Sequence, residues 1–438
     1  MRGAGEVRRE RGTPPRTIAQ QILAAHGVDD VSPGSFALAK VDLVMANDVS
    51  GSVALREFER IGAERVFDPD RVALFVDHFA PAKDVRSAEM IARLRRFARE
   101  QGIGHYWEAG STLNAGIEHT VLPEEGLVAP GDFIPGGDSH TCTYGAFGAF
   151  GTGVGSTDIA SALALGELWV RVPESVAVRY TGRRRPYVTG KDLILAFIGR
   201  VGVSGATYAA LEFEGPVVEG LNIDERMALC NMAVEAGAET GIVAADETTL
   251  EWLADKVADR PLEPVKAEPG AEYSARVEIS VDGMPPLVAR PPSPGDVTEI
   301  ETVRGVRVDQ VYVGNCSNGT ITDLRQLCRV IAGRRVASGT RLIVVPASQR
   351  VLRQALAEGL IEIVLEAGGL VSAPTCGACF GGHMGILGPG EVALATTNRN
   401  FRGRMGHPDS SVYLANAYVA GAAAVTGELV DPAEVLGR

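Results

Sequence analysis

Short apolar segments alternate along this chain with segments in which apolar residues recur every three or four positions. Residues 72–76 (VALFV) form a continuous run of large apolar side chains, which is typical of a buried strand. A helical spacing follows, and it is kept by Val85, Ala88, Ile91, Leu94 and Phe97. The two patterns together predict a strand followed by an amphipathic helix.

The same arrangement recurs in the second half of the chain. A short apolar strand in QVYVGNCSNG precedes a helical pattern in which Leu324, Leu327 and Ile331 share one face, and Gly333 is the predicted C-cap. The segment RLIVVPASQRVLRQALAEGL again combines an apolar strand pattern with a helical pattern. Residues 392–396 form a further predicted strand. Alternating strands and helices predict an α/β fold with mainly parallel sheets. In such sheets, ligands bind beyond the carboxyl ends of the strands.

Length and composition predict more than one unit. The chain has 438 residues, and a single core stops growing at roughly 250–300. Residues 282–296 are rich in proline and glycine, as in a linker, and a softer boundary lies near residues 168–175. We expect a disordered tail over residues 1–16. The expected α/β units are residues 17–172, 173–285 and 286–438.

Charge and hydropathy narrow the class of protein. The net charge of −13 disfavours nucleic acid and anionic membranes as main partners, because both attract clustered lysine and arginine. No apolar run reaches the roughly 18–20 residues of a spanning helix, and the N-terminus lacks the apolar stretch of a signal peptide. We therefore expect a cytoplasmic protein without a nucleic-acid or membrane partner.

Three of the six cysteines lie in glycine-rich turns. Cys316 follows a predicted strand and precedes a helix, where the helix dipole favours a thiolate, and Cys376 and Cys379 form a Cys-x-x-Cys pair. Such a pair is compatible with zinc, with a redox dithiol or with an iron–sulfur cluster. Three cysteines on a cubane cluster would leave one iron open as a Lewis acid. The remaining cysteines are expected to be small buried residues: Cys142, Cys230 and Cys328.

Three histidines stand beside carboxylates or hydroxyls at predicted strand ends. These groups are Asp77 with His78, Glu118 with His119, and Asp138 and Ser139 with His140. A carboxylate that accepts one ring N–H fixes the imidazole tautomer and raises its basicity, as acid–base catalysis requires.

A polar loop after the predicted strand at 392–396 contains Arg399 and Arg404. Guanidinium groups bind carboxylates through paired hydrogen bonds, so the loop indicates a di- or tricarboxylate substrate, with a solvated basic loop as the alternative. The segment GAFGAFGTGVGST lacks the Gly-Lys-Ser/Thr ending of a phosphate-binding loop, so we interpret its glycines as a site of close helix packing.

Four motifs, in order, resemble those of the aconitase superfamily: GDSHTCTYGAFGAFGTGVGSTD, GNCSNG, PTCGACFGGHMG and TTNRNFRGR. The resemblance extends from about Thr17 to Gly427. It implies three α/β/α domains of the aconitase type around a central cluster cleft, without the fourth, mobile domain of full-length aconitases. It also implies one [4Fe-4S] cluster with an open iron and three ligands: Cys316, Cys376 and Cys379.

The resemblance implies roles for further residues. Asp77 and His78 would assist departure of a substrate hydroxyl as water, and His119 and His140 would orient substrate and water. Their implied carboxylate partners are Asp138 and Glu235. The implied substrate-binding residues are Ser139, Asn231, Asn398, Arg399 and Arg404.

Two features depart from the family pattern. The common GSCTNGR is GNCSNGT here, so Asn315, Ser317 and Thr320 alter the hydrogen bonding around the cluster. In split members of the superfamily, the mobile domain is a separate small subunit that supplies a serine base and a specificity loop. We therefore expect this chain to need such a partner for catalysis.

The implied activity is that of the large subunit of an iron–sulfur hydro-lyase. The expected reaction interconverts 2-isopropylmalate and 3-isopropylmalate in leucine biosynthesis by dehydration and rehydration. A homoaconitase or another alkylmalate dehydratase, such as one acting on dimethylmalate, is a close alternative. Two other hypotheses are a cluster-sensing RNA-binding protein, which the acidic charge disfavours, and a zinc or dithiol protein.

Overall fold

The computed structural model describes residues 14–258 and 260–437. Its strands form four sheets. The smallest pairs β1 (Phe36–Lys40) with β7 (Glu167–Arg171) in antiparallel fashion. The other three are larger, and each is built from one continuous stretch of chain.

The first large sheet is entirely parallel and has the order β4-β3-β2-β5-β6. Its central strands are fully buried, as expected for a parallel sheet covered on both faces. Its strands are β2 (Val44–Asn47), β3 (Val72–Val76), β4 (His105–Glu108), β5 (Phe133–Gly136) and β6 (Phe150–Gly153).

The second large sheet is also parallel, with the order β10-β9-β8-β11. Its strands are β8 (Glu174–Thr181), β9 (Ala209–Glu214), β10 (Thr240–Val243) and β11 (Ala275–Ser280).

The third sheet has seven strands in the order β13-β12-β18-β17-β14-β15-β16, and only the pairs that involve β12 are antiparallel. Its strands are β12 (Leu287–Ala289), β13 (Val297–Glu299), β14 (Gln310–Gly314), β15 (Arg341–Val345), β16 (Leu370–Val371), β17 (Val392–Ala395) and β18 (Ser411–Leu414).

Helices cover these sheets and complete an α/β architecture, which confirms the predicted fold class. They are α1 (Ile18–Ala25), α2 (Ser50–Arg60), α3 (Val85–Gln101), α4 (Glu118–Glu124), α5 (Ser156–Leu165), α6 (Gly190–Val201), α7 (Pro216–Glu219), α8 (Ile223–Asn231), α9 (Glu247–Leu253), α10 (Asn315–Asn318), α11 (Ile321–Ile331), α12 (Gln349–Ala357), α13 (Leu360–Ala367), α14 (Ala417–Thr426) and α15 (Pro432–Leu436). Within the described residues, none is both long and apolar enough to cross a membrane.

The predicted elements are present, with small differences at their ends. β3 and α3 occupy the predicted positions, whereas β17 ends at Ala395. Helix α11 ends one residue earlier than expected, with Ala332 as its C-cap, and Gly333 follows in a left-handed conformation with φ 69°. Glycine adopts this conformation without the steric cost of a Cβ atom.

The segment predicted as a linker contains a strand. Within residues 282–296, β12 pairs with both β13 and β18. Its residues Val288 and Ala289 are fully buried, so tertiary packing outweighs the local turn composition.

Of the predicted tail, residues 1–13 lie outside the described part. The Arg16 backbone N–H donates to Glu268 Oε2 at 2.9 Å. The division into three units stays a prediction.

The glycines in the segment after Asp138 allow close packing, as expected. The elements that they bring together are a 3-10 helix and its neighbouring strands. A Cβ atom on Gly145, in the 3-10 helix Ser139–Phe147, would lie 1.7 Å from the Gly241 carbonyl oxygen in β10. A Cβ atom on Gly151 in β6 would lie 2.2 Å from the Thr141 carbonyl oxygen. Only glycine fits these two contacts.

Candidate active site

The carboxyl ends of the first and third large sheets meet at one place. In the first sheet, Asp77 follows β3 directly, and Asp138 follows β5 by two residues. In the third, Cys316 follows β14, and Cys376 lies in the loop after β16. The Cys376 backbone N–H donates to the Asp77 carbonyl oxygen at 2.8 Å. Parallel strands therefore direct residues far apart in sequence into one cleft.

Cys316 lies at the centre of this cleft, at the start of the buried turn α10. Its Sγ atom accepts side-chain N–H hydrogen bonds from Asn231 at 3.2 Å and from Asn398 at 3.4 Å. Asn398 also donates to Asn231 Oδ1 at 3.1 Å. Two amide donors directed at one sulfur favour its negatively charged form, which is the form that binds metal. Burial outweighs them and raises the pKa of the free Cys316 thiol well above its ordinary value.

Cys376 and Cys379 lie close to the Cys316 loop: the Cys376 carbonyl oxygen accepts the Asn315 side-chain N–H, and the Cys379 thiol donates to Asn398 Oδ1. The neighbouring Cys376 thiol lowers the pKa of Cys379 by hydrogen bonding, although burial opposes this shift, and the charge of Arg404 acts in the same direction as Cys376. Within the described part of the chain, Arg404 Nε is buried and has no hydrogen-bond partner. The same hydrogen bond raises the pKa of Cys376 well above its ordinary value, so Cys379 is the thiolate of the pair and has a cation beside it.

The donor chemistry of these cysteines fits an iron–sulfur cluster. Cys376 and Cys379 are close enough for their thiols to hydrogen-bond to each other, and two amide N–H groups are directed at the Cys316 sulfur. Thiolates are the usual ligands of such clusters, and amide donors to sulfur adjust their potential. Three thiolates on a cubane of four irons leave one iron open.

Asp77 and His78 form a buried ion-pair network at the end of β3. His78 Nδ1 lies 2.7 Å from Asp77 Oδ1, and His78 Nε2 lies 3.7 Å from Asp138 Oδ2. Burial opposes protonation of the ring, but Asp77 and Asp138 outweigh it, and the pKa of His78 lies well above its ordinary value. The two carboxylates therefore favour the charged form of the His78 ring, which is the form that can donate a proton.

Asp138 connects three histidines. Its Oδ1 atom lies 3.0 Å from His119 Nε2 and 3.3 Å from His140 Nδ1, and it also accepts the His140 backbone N–H at 2.7 Å. Burial opposes ionisation, but hydrogen bonds from His119, His140 and His78 outweigh it and hold the pKa of Asp138 well below its ordinary value. Asp138 is therefore a permanent acceptor that orients these rings.

Glu235 links a histidine to the arginine loop. Its Oε1 atom lies 2.8 Å from His140 Nε2 and accepts the Arg399 Nε–H at 2.7 Å. These three side chains come from different parts of the chain. Glu235 lies in the short 3-10 helix Met232–Ala236, which follows α8. Ser139 begins the 3-10 helix that carries His140 and is half-buried. The sequence-predicted residues are thus within one connected cleft.

The departures from the family pattern have structural counterparts. Asn315 has a left-handed backbone, with φ 76°, and its side-chain N–H donates to the Cys376 carbonyl oxygen at 2.7 Å. Asparagine tolerates this conformation better than most residues. Ser317 Oγ donates to the Thr396 carbonyl oxygen at 3.1 Å, and Thr320 caps α11. These residues tie the cysteine loops to their supporting strands.

Two further buried carboxylates belong to the cleft: Asp48, which the sequence analysis missed, and Glu118, which it paired with His119 without giving it a role. Asp48, after β2, accepts the backbone N–H groups of His78 at 3.0 Å and Phe79 at 2.9 Å. Glu118 accepts the Asn47 side-chain N–H at 3.0 Å, and burial together with Asp77 raises its pKa well above the ordinary value. The signal for Asp48 was its position after a buried strand, in VMANDVS.

Comparison with known families agrees with this geometry. The family model described as "Aconitase family (aconitate hydratase)" matches residues 20–427. The chain belongs to the aconitase family. This result confirms the resemblance found in the sequence. Membership of the aconitase family implies an iron–sulfur cluster.

Several curated relatives are similar over almost their whole length. The chain is 56% identical to "3-isopropylmalate dehydratase large subunit 2" of Rubrobacter xylanophilus, covering 96% of this chain and 98% of that protein. It is 51% identical to "3-isopropylmalate dehydratase large subunit" of Moorella thermoacetica, covering 96% and 99%. It is also 51% identical to "3-isopropylmalate dehydratase large subunit 1" of Pyrococcus abyssi, again covering 96% and 99%.

Proposed function

We propose that this protein is the large subunit of a 3-isopropylmalate dehydratase, a hydro-lyase that interconverts 2-isopropylmalate and 3-isopropylmalate through an alkene intermediate. The observation that carries the proposal is the near full-length identity of 56% to a relative of that name. The cleft adds support, because it joins three cysteines to histidine–carboxylate pairs and two arginines. The cytoplasmic location expected from the sequence is part of this proposal.

The cysteines are proposed to hold one [4Fe-4S] cluster with an open iron. Cys316, Cys376 and Cys379 would be its ligands, and Asn231 and Asn398 would donate to the Cys316 sulfur. When bound, the cluster supplies a Lewis acid that withdraws electron density from substrate oxygens.

The remaining residues of the cleft perform binding and proton transfer in this proposal. The charged His78 ring donates a proton to the substrate hydroxyl, which leaves as water, while Asp77 stabilises the ring's orientation. Arg399 and Arg404 bind the malate carboxylates, with Ser139 beside them. Asp138 and Glu235 keep His119 and His140 in fixed orientations through short contacts.

The proton on the neighbouring carbon is proposed to leave to a base on a separate small subunit. The relatives are named large subunits, and their name implies a second chain. A positioned base and a withdrawing group must act together, because a carbon next to a carboxylate releases its proton only when developing charge is stabilised.

The first test compares substrates in the reconstituted enzyme. The chain is purified without oxygen, its cluster is rebuilt, and its cognate small subunit is added. We expect kcat/KM for 2- and 3-isopropylmalate to exceed that for dimethylmalate and for homoisocitrate by about tenfold or more, since one alkyl group in an apolar pocket contributes such a ratio.

The isolated chain is the control for this experiment. It should bind a cluster but show no turnover, because the base is missing. Full activity of the chain alone would contradict the split-enzyme part of the proposal. A preference for homoisocitrate or dimethylmalate would contradict the substrate assignment, and a colourless protein with stoichiometric zinc would contradict the cluster.

A further inference from the structure

Lys191 is a fully buried cation close to the candidate active site. It lies in the first turn of α6 and has no solvent exposure. Its Nζ atom donates hydrogen bonds to two backbone carbonyl oxygens, those of Thr396 at 2.9 Å and Thr397 at 2.6 Å. In the part of the chain that the structure describes, it forms no ion pair with a carboxylate. Neither the sequence motifs nor the mechanism above uses this residue.

A buried ammonium without a carboxylate partner is unfavourable unless its surroundings compensate for lost hydration. Burial lowers the pKa of Lys191 to about 8, and the nearby residues Asp323, Cys379 and Cys316 oppose that shift. The side chain therefore remains mainly charged at neutral pH. The cysteines among these groups are the proposed cluster ligands, and a cluster bound by thiolates carries negative charge at this place.

The two carbonyl groups that Lys191 contacts belong to a junction between functional loops. Thr396 and Thr397 connect β17 to Asn398 and Arg399. The Thr396 carbonyl oxygen also accepts the Ser317 hydroxyl, next to Cys316 in sequence. Asn398 in turn donates to Cys316 Sγ. The ammonium therefore binds the part of the arginine loop through which Ser317 and Asn398 contact the cysteine loop.

We propose that Lys191 is a positioning residue of this site, with two effects. Its hydrogen bonds to Thr396 and Thr397 hold Asn398 and Arg399 towards the cysteines and Glu235. Its positive charge offsets the negative charge of the cysteine ligands and makes a bound cluster easier to reduce. The first effect rests on the proposed function, because it acts through substrate binding, whereas the second requires only a bound cluster.

The decisive variant is Lys191→Met, which has a similar length but neither charge nor donor. In the reconstituted enzyme we expect KM for isopropylmalate to rise about tenfold or more, as loss of hydrogen bonds to a charged group predicts, with a smaller change in kcat. The midpoint potential of the cluster, followed by electron paramagnetic resonance, should shift to a more negative value, because removal of a nearby positive charge disfavours the reduced state.

A variant of an exposed lysine, Lys40→Met, is the matched control and should leave both KM and the potential unchanged. A purely structural role for Lys191 would lower the yield of folded enzyme without moving either quantity. Wild-type KM together with a wild-type potential in Lys191→Met would overturn the proposal. The potential does not depend on the substrate, so it tests Lys191 even if isopropylmalate proves to be the wrong substrate.

If Lys191→Met does not fold, the variant Lys191→Arg tests the proposal instead. Arginine keeps the charge, but its planar, bulkier guanidinium does not replace a compact ammonium between two carbonyls. We expect a near wild-type potential and a raised KM for this variant. A wild-type KM would show that the ammonium geometry has no role in positioning the arginine loop.

Discussion

Replacing Cys376 with serine is expected to abolish both the brown colour of the anaerobically purified protein and its activity with the small subunit. Serine is a poor ligand for iron because its hydroxyl stays protonated at neutral pH, whereas thiolates bind iron–sulfur clusters. Cys376 is held in the cleft by a hydrogen bond from its backbone N–H to the Asp77 carbonyl oxygen, so the serine would occupy the same position without supplying a thiolate. Visible absorbance, iron content and turnover measure the loss.

Cys328→Ser is the matched control for this experiment. Cys328 is buried on α11, and its thiol donates to the Leu360 carbonyl oxygen at 3.4 Å. We expect this variant to retain colour, iron and activity. Equal loss in Cys376→Ser and Cys328→Ser would mean that the ligand assignment is wrong.

Replacing Asp138 with asparagine is expected to lower kcat by about 10³-fold or more, with the fold and the cluster retained. The carboxylate is an acceptor for three histidines, and their hydrogen bonds hold its pKa well below the ordinary value. An amide would present an N–H group to at least one ring and force a different tautomer, a change that is very costly in other catalytic histidine–carboxylate pairs.

Asp42→Asn is the control, and it tests whether loss of any histidine–carboxylate pair lowers kcat as Asp138→Asn is expected to do. Asp42 Oδ2 lies 2.6 Å from His26 Nε2, also in a partly buried setting, but this pair supports the first sheet outside the cleft. The variant is expected to change the thermal unfolding midpoint and leave kcat near the wild-type value. If Asp138→Asn has wild-type kcat in steady-state assays, Asp138 does not orient catalytic groups.

Much of the site was predictable because each strand end was visible in the sequence. The run at residues 72–76 marked the position of Asp77 and His78, and the short strand before Cys316 marked the cysteine loop. Parallel strands direct the residues after their carboxyl ends to the same edge of a sheet. Residues of the right chemistry after separate strands were therefore predicted to share a cleft, and the structure brings them together.

Other members of the site had no sequence signal of this kind. Glu235 lies in a short 3-10 helix whose local pattern shows no functional role, and only the resemblance pointed to it. Lys191 has no signal in the sequence either, because helix positions alone do not reveal which side chain contacts a loop about 200 residues later in the chain. The segment predicted as a linker contains β12 for the same reason, because β12 pairs with β18, a strand distant in sequence.

The sequence by itself determined the alternation of strands and helices, the positions of the strand ends and the chemical types available there. These follow from local periodicity and from side-chain chemistry, which act between near neighbours in the chain. Only the tertiary structure decided which carboxylate faces which histidine, that Asp138 connects three rings, and that a buried ammonium supports the arginine loop. Those pairings depend on burial and on distances of about 3 Å between segments far apart in sequence, and local periodicity carries no information about either.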